Sequence, residues 1–260
     1  GHINVHESGA IETCGHKVLS AAVPDGKLTP EAVRAITEAH LNGDDGHTVV
    51  PRMVYVSDAT ELGTIYTKAG LTALHETCRA LGLYLYLDGA RMAQALAAAG
   101  NDLAPEDLAR LCDAFYIGGT KNGLLFGEAL VIVNDAIKPY YRNVMKQHGA
   151  MLAKGRLLGV QFAAYFEDDL WLSLGRHAVE QAQALADGLR TKGYQFYVNS
   201  PTNQIFPIFT DAQYRDAQAR FGCEFTAKVD AEHTAARFVT SWATTPEAVQ
   251  EACRETTKGT

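Results

Sequence analysis

An open, mostly parallel α/β sheet followed by a smaller α+β region is the architecture this sequence predicts, on three observations. Apolar runs of strand length alternate with segments of helical period from residue 29 to about residue 134. The runs Met53–Ser57 and Leu83–Leu87 are nearly continuous in apolar character, as in strands buried on both faces. Beyond Asn134 the rhythm changes to long helical stretches and short strands, which places a division near residue 140. The large region is thus expected at 1–140, and linking helices with a small C-terminal α+β region at 141–260.

The elements follow in order. Thr29-Pro30-Glu31 starts a helix with Thr29 as N-cap and Pro30 at the first helical position. It runs toward His40 and ends in the loop Asn42-Gly43-Asp44-Asp45-Gly46. Met53–Ser57 is a strand. A helix opened by Thr67 runs through about Arg79 and closes at Leu81-Gly82. Leu83–Leu87 is a strand that ends on Asp88. Helices over Arg91–Ala99 and Pro105–Cys112 lead to strands at Ala114–Gly118 and Leu130–Val133. In the second region, Ile137–Phe166 reads as long helices with a basic, glycine-interrupted middle, and Leu170–Lys192 as a strongly amphipathic helix. Strands are expected at Gln195–Asn199, Gln204–Phe209 and Ala236–Ser241, and helices at Ala212–Phe221 and Pro246–Glu255.

Composition narrows the function classes. A net charge of −7 and pI near 5.7, with no Lys/Arg-rich run, argue against a nucleic-acid binder. The longest apolar run, Ala129–Val133, is far short of a membrane span. The five cysteines are scattered without a CxxC pair, so neither a zinc site nor a disulfide framework is expected. Reduced thiols in a cytoplasmic protein are the simplest reading.

In open α/β sheets, ligands gather beyond the carboxyl ends of the strands. That rule singles out Asp88 and the loop Gly118–Gly123, which contains Lys121. A partly desolvated lysine condenses with carbonyl groups; alone, Lys121 reads equally as a solvated loop residue. The loop lacks both GxxxxGK[ST] and GxGxxG, which disfavours a nucleotide or nicotinamide site. A carboxylate ending a buried strand is costly unless paired, and an aspartate partner for a pyridinium nitrogen is what a pyridoxal ring requires. Asp88 also reads as a turn residue before Gly89, and Arg91 as a surface arginine at a helix start. His2 and His6 carry imidazoles able to stack on an aromatic ring, though a histidine near a chain end is more often incidental.

Taken together, the segments Gly1–Glu12, Tyr55–Thr64, Leu87-Asp88-Gly89-Ala90-Arg91, Gly119-Thr120-Lys121-Asn122-Gly123 and Leu152–Gly159 occur in the order found in threonine aldolases. Over nearly its whole length the chain resembles the threonine aldolase and β-eliminating lyase family. The resemblance implies the aspartate aminotransferase fold (fold type I) and a cofactor, pyridoxal 5′-phosphate (PLP), bound by residues 1–140. It implies Lys121 as the cofactor lysine, Asp88 on the pyridine nitrogen, Arg91 near the phenolic oxygen, and His2 stacked on the ring. His47 matches a second active-site histidine, and His2 or His47 would act as base. Arg237 matches the arginine that grips the substrate carboxylate. Lys146 and Lys154 match basic residues near the cofactor phosphate, in reach of a neighbouring subunit's site. Asp58 stands where many relatives carry a polar amide, and His148 where an arginine is common.

The implied reaction is retro-aldol cleavage of a β-hydroxy-α-amino acid, such as L-threonine or L-allo-threonine, to glycine and an aldehyde. The implied partners are that amino acid and further copies of the chain, as a homodimer or homotetramer. β-Elimination or transamination on the same fold stays open, as does a PLP-free binding or oligomerisation module. Relatives carry a substantial segment before the position of His2, with a loop that holds the cofactor phosphate. The chain is therefore expected to be N-terminally incomplete for the family and to bind PLP weakly or not at all.

Overall fold

Strand β1 (Met53–Ser57) lies at one edge of a four-stranded sheet, beside β2 (Tyr84–Asp88), β3 (Ala114–Ile117) and β4 (Ala129–Ile132), in that order. The computed structural model describes residues 1–42 and 46–256, so the centre of the loop expected at 42–46, residues 43–45, lies outside the described residues. β1 and β3 both run parallel to β2, and β4 runs antiparallel to β3. The sheet is the mostly parallel one expected. Leu85 and Leu87 are fully buried, as the continuous apolar run of β2 requires.

The helices begin where side chains can cap them. Thr29 accepts from the Ala32 amide at 3.3 Å at the head of α3 (Pro30–Leu41), after the one-turn helices α1 (His2–Val5) and α2 (Ala10–Thr13). Thr67 does the same for α4 (Lys68–Leu81), which ends on Gly82 in the left-handed conformation. Next come α5 (Met92–Ala97) and α6 (Pro105–Leu111). The expected long helices of 137–166 are shorter: α7 spans Tyr141–Gln147 and α8 Arg156–Phe166. Between them Gly149 takes a left-handed φ of 71°, which a continuous helix cannot contain. Helix α9 (Leu170–Thr191) runs 22 residues, about 33 Å at 1.5 Å per residue.

The second sheet holds β5 (Gln204–Ile205), β6 (Ile208–Thr210), β7 (Glu224–Lys228) and β8 (His233–Val239), all antiparallel to β8, with α10 (Asp211–Phe221) and α11 (Pro246–Glu255) outside it. Three expectations are corrected here. Gln195–Asn199 is not a strand: only Phe196 bridges, to Pro207, before the chain turns toward Ser200. The single strand expected at 204–209 is split, because Pro207 has no amide to continue the ladder. The last strand starts earlier, at His233, and stops at Val239 rather than Ser241.

The apolar residues form two main clusters. The first joins the large sheet to α4, α5 and α6 and takes in Tyr165 and Trp171; the second gathers Ala182, Leu185, Leu189, Phe209, Phe238 and Val249. Helix α9 contributes to both. At Gly175 it packs against α5 so closely that a Cβ would lie 2.6 Å from the Ala93 backbone. The division near residue 140 is retained as a proposal, with α8 and the first turns of α9 packed on the first core.

Candidate active site

The carboxyl ends of β1, β2 and β3 bring Ser57, Asp88 and Tyr116 to one cavity of about 50 Å³. His2, Glu7, Glu61, Arg91 and Lys121 also line it, with Ala59 and Ala90. Four of the residues singled out from sequence, Lys121, Asp88, Arg91 and His2, thus meet in one place.

Asp88 is buried, and its carboxylate is well supplied with donors. The Ala90 amide donates to Oδ1 at 2.9 Å, and the Tyr55 hydroxyl donates to Oδ2. The Tyr116 hydroxyl also bonds to this carboxylate. Burial, reinforced by the charge of Asp88, pushes the Tyr55 and Tyr116 phenols far above their ordinary range, so both remain donors. Asp88 is thereby held as an acceptor facing the cavity.

Lys121 follows β3 in a loop that is pinned from two sides. Glu128 accepts from the Gly119 amide at 2.5 Å and from the Thr120 hydroxyl at 2.7 Å. On the other side Asn122 is buried, donating to Tyr165 Oη at 2.5 Å and the Trp171 carbonyl at 2.9 Å, and accepting from Gln94 Nε2 at 3.0 Å. Tyr165 Oη in turn donates to the Gly118 carbonyl at 2.9 Å. The loop also touches the Asp88 loop backbone to backbone, Gly118 N donating to Gly89 O at 2.9 Å. A Cβ on Gly118 would stand 2.4 Å from the Ala90 carbonyl, so only glycine permits this approach.

The Lys121 side chain stays open at the cavity mouth, yet the groups around its ammonium lower its pKa, through desolvation first and then the nearby Arg91 charge. Remaining contact with water limits the size of that shift. Arg91 is itself shifted down by burial and by Arg237.

His2 caps the cavity. Its Nδ1 lies 2.8 Å from Glu7 Oε1, its Nε2 lies 3.5 Å from Glu61 Oε2, and its ring centroid is 4.6 Å from that of His6. Arg237, on β8, binds Glu224 through Nη2 and Gln204 Oε1 at 3.3 Å through Nη1. It stands near enough to Arg91 to depress the latter's pKa, but does not line the cavity. His47, Lys146 and Lys154 are exposed and lie outside the cavity lining. Sequence reading missed Tyr55, Tyr116, Glu61, Glu7 and Glu128. Tyr55 had a signal, since it stands two residues before the end of β1, one strand over from Asp88.

A buried, hydrogen-bonded carboxylate facing an accessible, partly desolvated lysine beyond the strand ends defines an enzyme that holds a carbonyl-bearing heteroaromatic cofactor. The sequence model of the β-eliminating lyase family matches residues 1–241. The chain is 34% identical over 257 residues to the low specificity L-threonine aldolase of Pseudomonas aeruginosa, covering 98% of this chain and 72% of that one. The structure superposes on the Leishmania major threonine aldolase with a TM-score of 0.93 at 43% identity, covering 98% of this chain and 73% of that one. The Thermus thermophilus aspartate aminotransferase, at 17% identity and a TM-score of 0.58 over 87% of this chain and 59% of that one, shares the fold. This chain belongs to the β-eliminating lyase family, as a PLP-dependent lyase of fold type I. The donor set fits that cofactor: Asp88 for a ring nitrogen and Lys121 for an aldehyde carbon.

Proposed function

We propose that the protein cleaves a β-hydroxy-α-amino acid, L-threonine or L-allo-threonine, to glycine and an aldehyde by a retro-aldol reaction. The observation that carries this is the convergence of Lys121, Asp88, Arg91 and His2 on one cavity, in a chain so similar to a low specificity L-threonine aldolase. Bound PLP supplies an electron sink for the pair released at Cα. Lys121 offers an amine that gives up its proton readily, because desolvation and Arg91 disfavour the ammonium. Asp88, with its acceptor face held by Tyr55 and the Ala90 amide, favours a protonated ring nitrogen. Arg91, which lines the same cavity, would supply positive charge toward the cofactor's phenolic oxygen. Arg237 receives the substrate carboxylate, its fork oriented by Gln204.

His2 is assigned as the base that takes the β-hydroxyl proton, since its ring lines the cavity beside Lys121 and is oriented by Glu7 at Nδ1. His47 is the alternative base. Lys154 is assigned to the phosphate of a neighbouring subunit's site, because its exposed position lies away from the cavity of its own chain. That role requires a homodimer or homotetramer, and exposed Val144, Leu152, Leu157 and Val160 on and between α7 and α8 supply an apolar surface for it. Among the described residues no helix is long and apolar enough to cross a membrane; a cytoplasmic location is part of this proposal.

The test is to record the near-UV to blue absorbance after adding PLP, then to add L-threonine and assay acetaldehyde, ammonia and keto acid. A Lys121-dependent band with acetaldehyde is expected. A band with ammonia and keto acid moves the reaction to β-elimination, and no band leaves a binding or oligomerisation module. Light scattering during chromatography checks the oligomer; a monomer at working concentration rules out the shared phosphate site.

A further inference from the structure

The two regions of the chain meet at a buried polar seam beside the active site. On one side is the turn Thr60–Gly63, just past β1. It is closed on itself. The Gly63 amide donates to Thr60 O at 2.9 Å, the Thr60 amide donates to Thr64 O at 2.9 Å, and the Thr60 and Thr64 hydroxyls lie 2.6 Å apart. On the other side is the segment Ser200–Gln204, which ends in the first residue of β5. Helix α9 holds that segment through Gln183, whose Nε2 donates to Ser200 O at 3.2 Å and to Thr202 O at 2.9 Å. Ser200 Oγ donates across the seam to Gly63 O at 3.0 Å. The fit is tight: Gly63 has a φ of 69°, and a Cβ there would stand 2.2 Å from Ser200 Oγ. Thr60, Ser200, Thr202 and Gln204 are all buried, so each takes its partners from within the protein.

Gln204 works at both ends in this seam. It is fully buried; its Nε2 donates to Thr60 O at 3.4 Å, and its Oε1 accepts from Arg237 Nη1 at 3.3 Å. An amide accepts from a cation at one end while it donates to a carbonyl at the other. A glutamate in its place keeps the contact to the arginine and loses the one to Thr60. A methionine has no donor for Thr60 and only a weakly accepting sulfur for the arginine. The other arm of the Arg237 fork is held by Glu224, which is exposed. The Gln204 contact is therefore the one with a buried, fixed partner. The residue after Thr60 is Glu61, which lines the cavity with Lys121. One side chain thus joins the rim of the cavity to an arginine carried by β8.

We infer that Gln204 is a positioning residue, through which the turn Thr60–Gly63 fixes the place of the Arg237 fork relative to the cavity. The inference rests on the reading of Arg237 as the group that receives the substrate carboxylate. It adds that this grip is set from the first region of the chain, across the division near residue 140. A fork already held in place loses less freedom when a carboxylate arrives, so the tether strengthens substrate binding and leaves the chemical step alone.

The test is a double-mutant cycle, with PLP present and acetaldehyde release from L-threonine as the readout. Gln204→Met is expected to lower kcat/KM about tenfold through KM, with kcat changed by less than about twofold. In an Arg237→Ala background the same substitution is expected to lower kcat/KM by less than about twofold, because the group it positions is gone. Gln204→Glu is also expected to raise KM, since it gives up Thr60 and competes with the substrate for the arginine. A second readout needs no turnover: the side-chain N–H protons of Arg237, followed by NMR without cofactor, are expected to exchange with water about tenfold faster in Gln204→Met. Unchanged KM and unchanged exchange in Gln204→Met overturn the inference. An equal loss of kcat/KM on both backgrounds overturns it too, because Gln204 then supports the fold and not the arginine. An unchanged KM in Gln204→Glu removes the turn from the arrangement and overturns it likewise. Arg237→Ala with kcat/KM unchanged refutes instead the role of Arg237 on which the inference rests.

Discussion

The two walls of the active site are built differently. The Asp88 and Lys121 loops are locked by buried hydrogen bonds that reach into the core, through Asn122, Tyr165, Gln94 and Trp171. The His2 wall stands on one-turn helices without a buried residue and is held by contacts to exposed or half-exposed carboxylates. Groups that must keep one geometry sit on the locked wall. His2, which closes the cavity, sits on the other.

The largest expected effect tests whether the locked wall carries the chemistry. Lys121→Ala should lower acetaldehyde release by about a thousandfold or more and abolish the PLP-dependent band. Retained activity would move the amine to another residue.

The next concerns the electrostatics of that wall. Burial pushes Asp58 up to about 7, well above an ordinary carboxyl. A carboxyl with a raised folded pKa stabilises fully only below its unfolded pKa, near 4, and loses that advantage as pH rises through about 7. Thermal melts should show stability falling across that window. Asp58→Asn should flatten the profile and raise stability at pH 8 by up to about 4 kcal/mol. A profile unchanged by the substitution would show that Asp58 ionises normally.

Asn122→Ala removes three buried hydrogen bonds, to Gln94, Tyr165 and the Trp171 carbonyl, so a loss of about 2–3 kcal/mol in denaturant melts is expected. A smaller effect follows on the substrate side. Glu224 competes with a substrate carboxylate for Arg237, so Glu224→Gln should lower KM about threefold to tenfold with kcat little changed. A raised KM would instead make Glu224 a positioning residue for the arginine. Last, Glu7→Gln should change stability by less than about 0.5 kcal/mol, because its partner contact is exposed. A large loss would mean that the two walls are alike after all.

The difference between the walls also governs how much of the molecule was legible in its sequence. The helix starts at Thr29 and Thr67 and the apolar runs of β1 and β2 are local signals, and these elements form where expected. Strand β7 was missed because Glu224–Lys228 is polar and largely exposed, with its pairing to β8 determined only in three dimensions. Lys121, Asp88 and Arg91 were visible because they fall at or just past strand ends. His2 was noticed for its imidazole, but only the family resemblance set it apart from His6. Glu61 and Glu128 act through partners distant in sequence or across a turn, and nothing in their own neighbourhoods marks them. His47 and Lys154 matched family positions but stand outside the cavity, which similarity of short segments cannot foresee.

Helix α9 gives Trp171 to one apolar cluster and Leu189 to the other, with Gly175 seated on α5 between them. Neither cluster can melt without stripping half of the same helix. Heat should therefore take the chain apart in one cooperative step, and the α5 segment just beyond Arg91 should lose its order together with the distant Phe209–Phe238 pair rather than ahead of it.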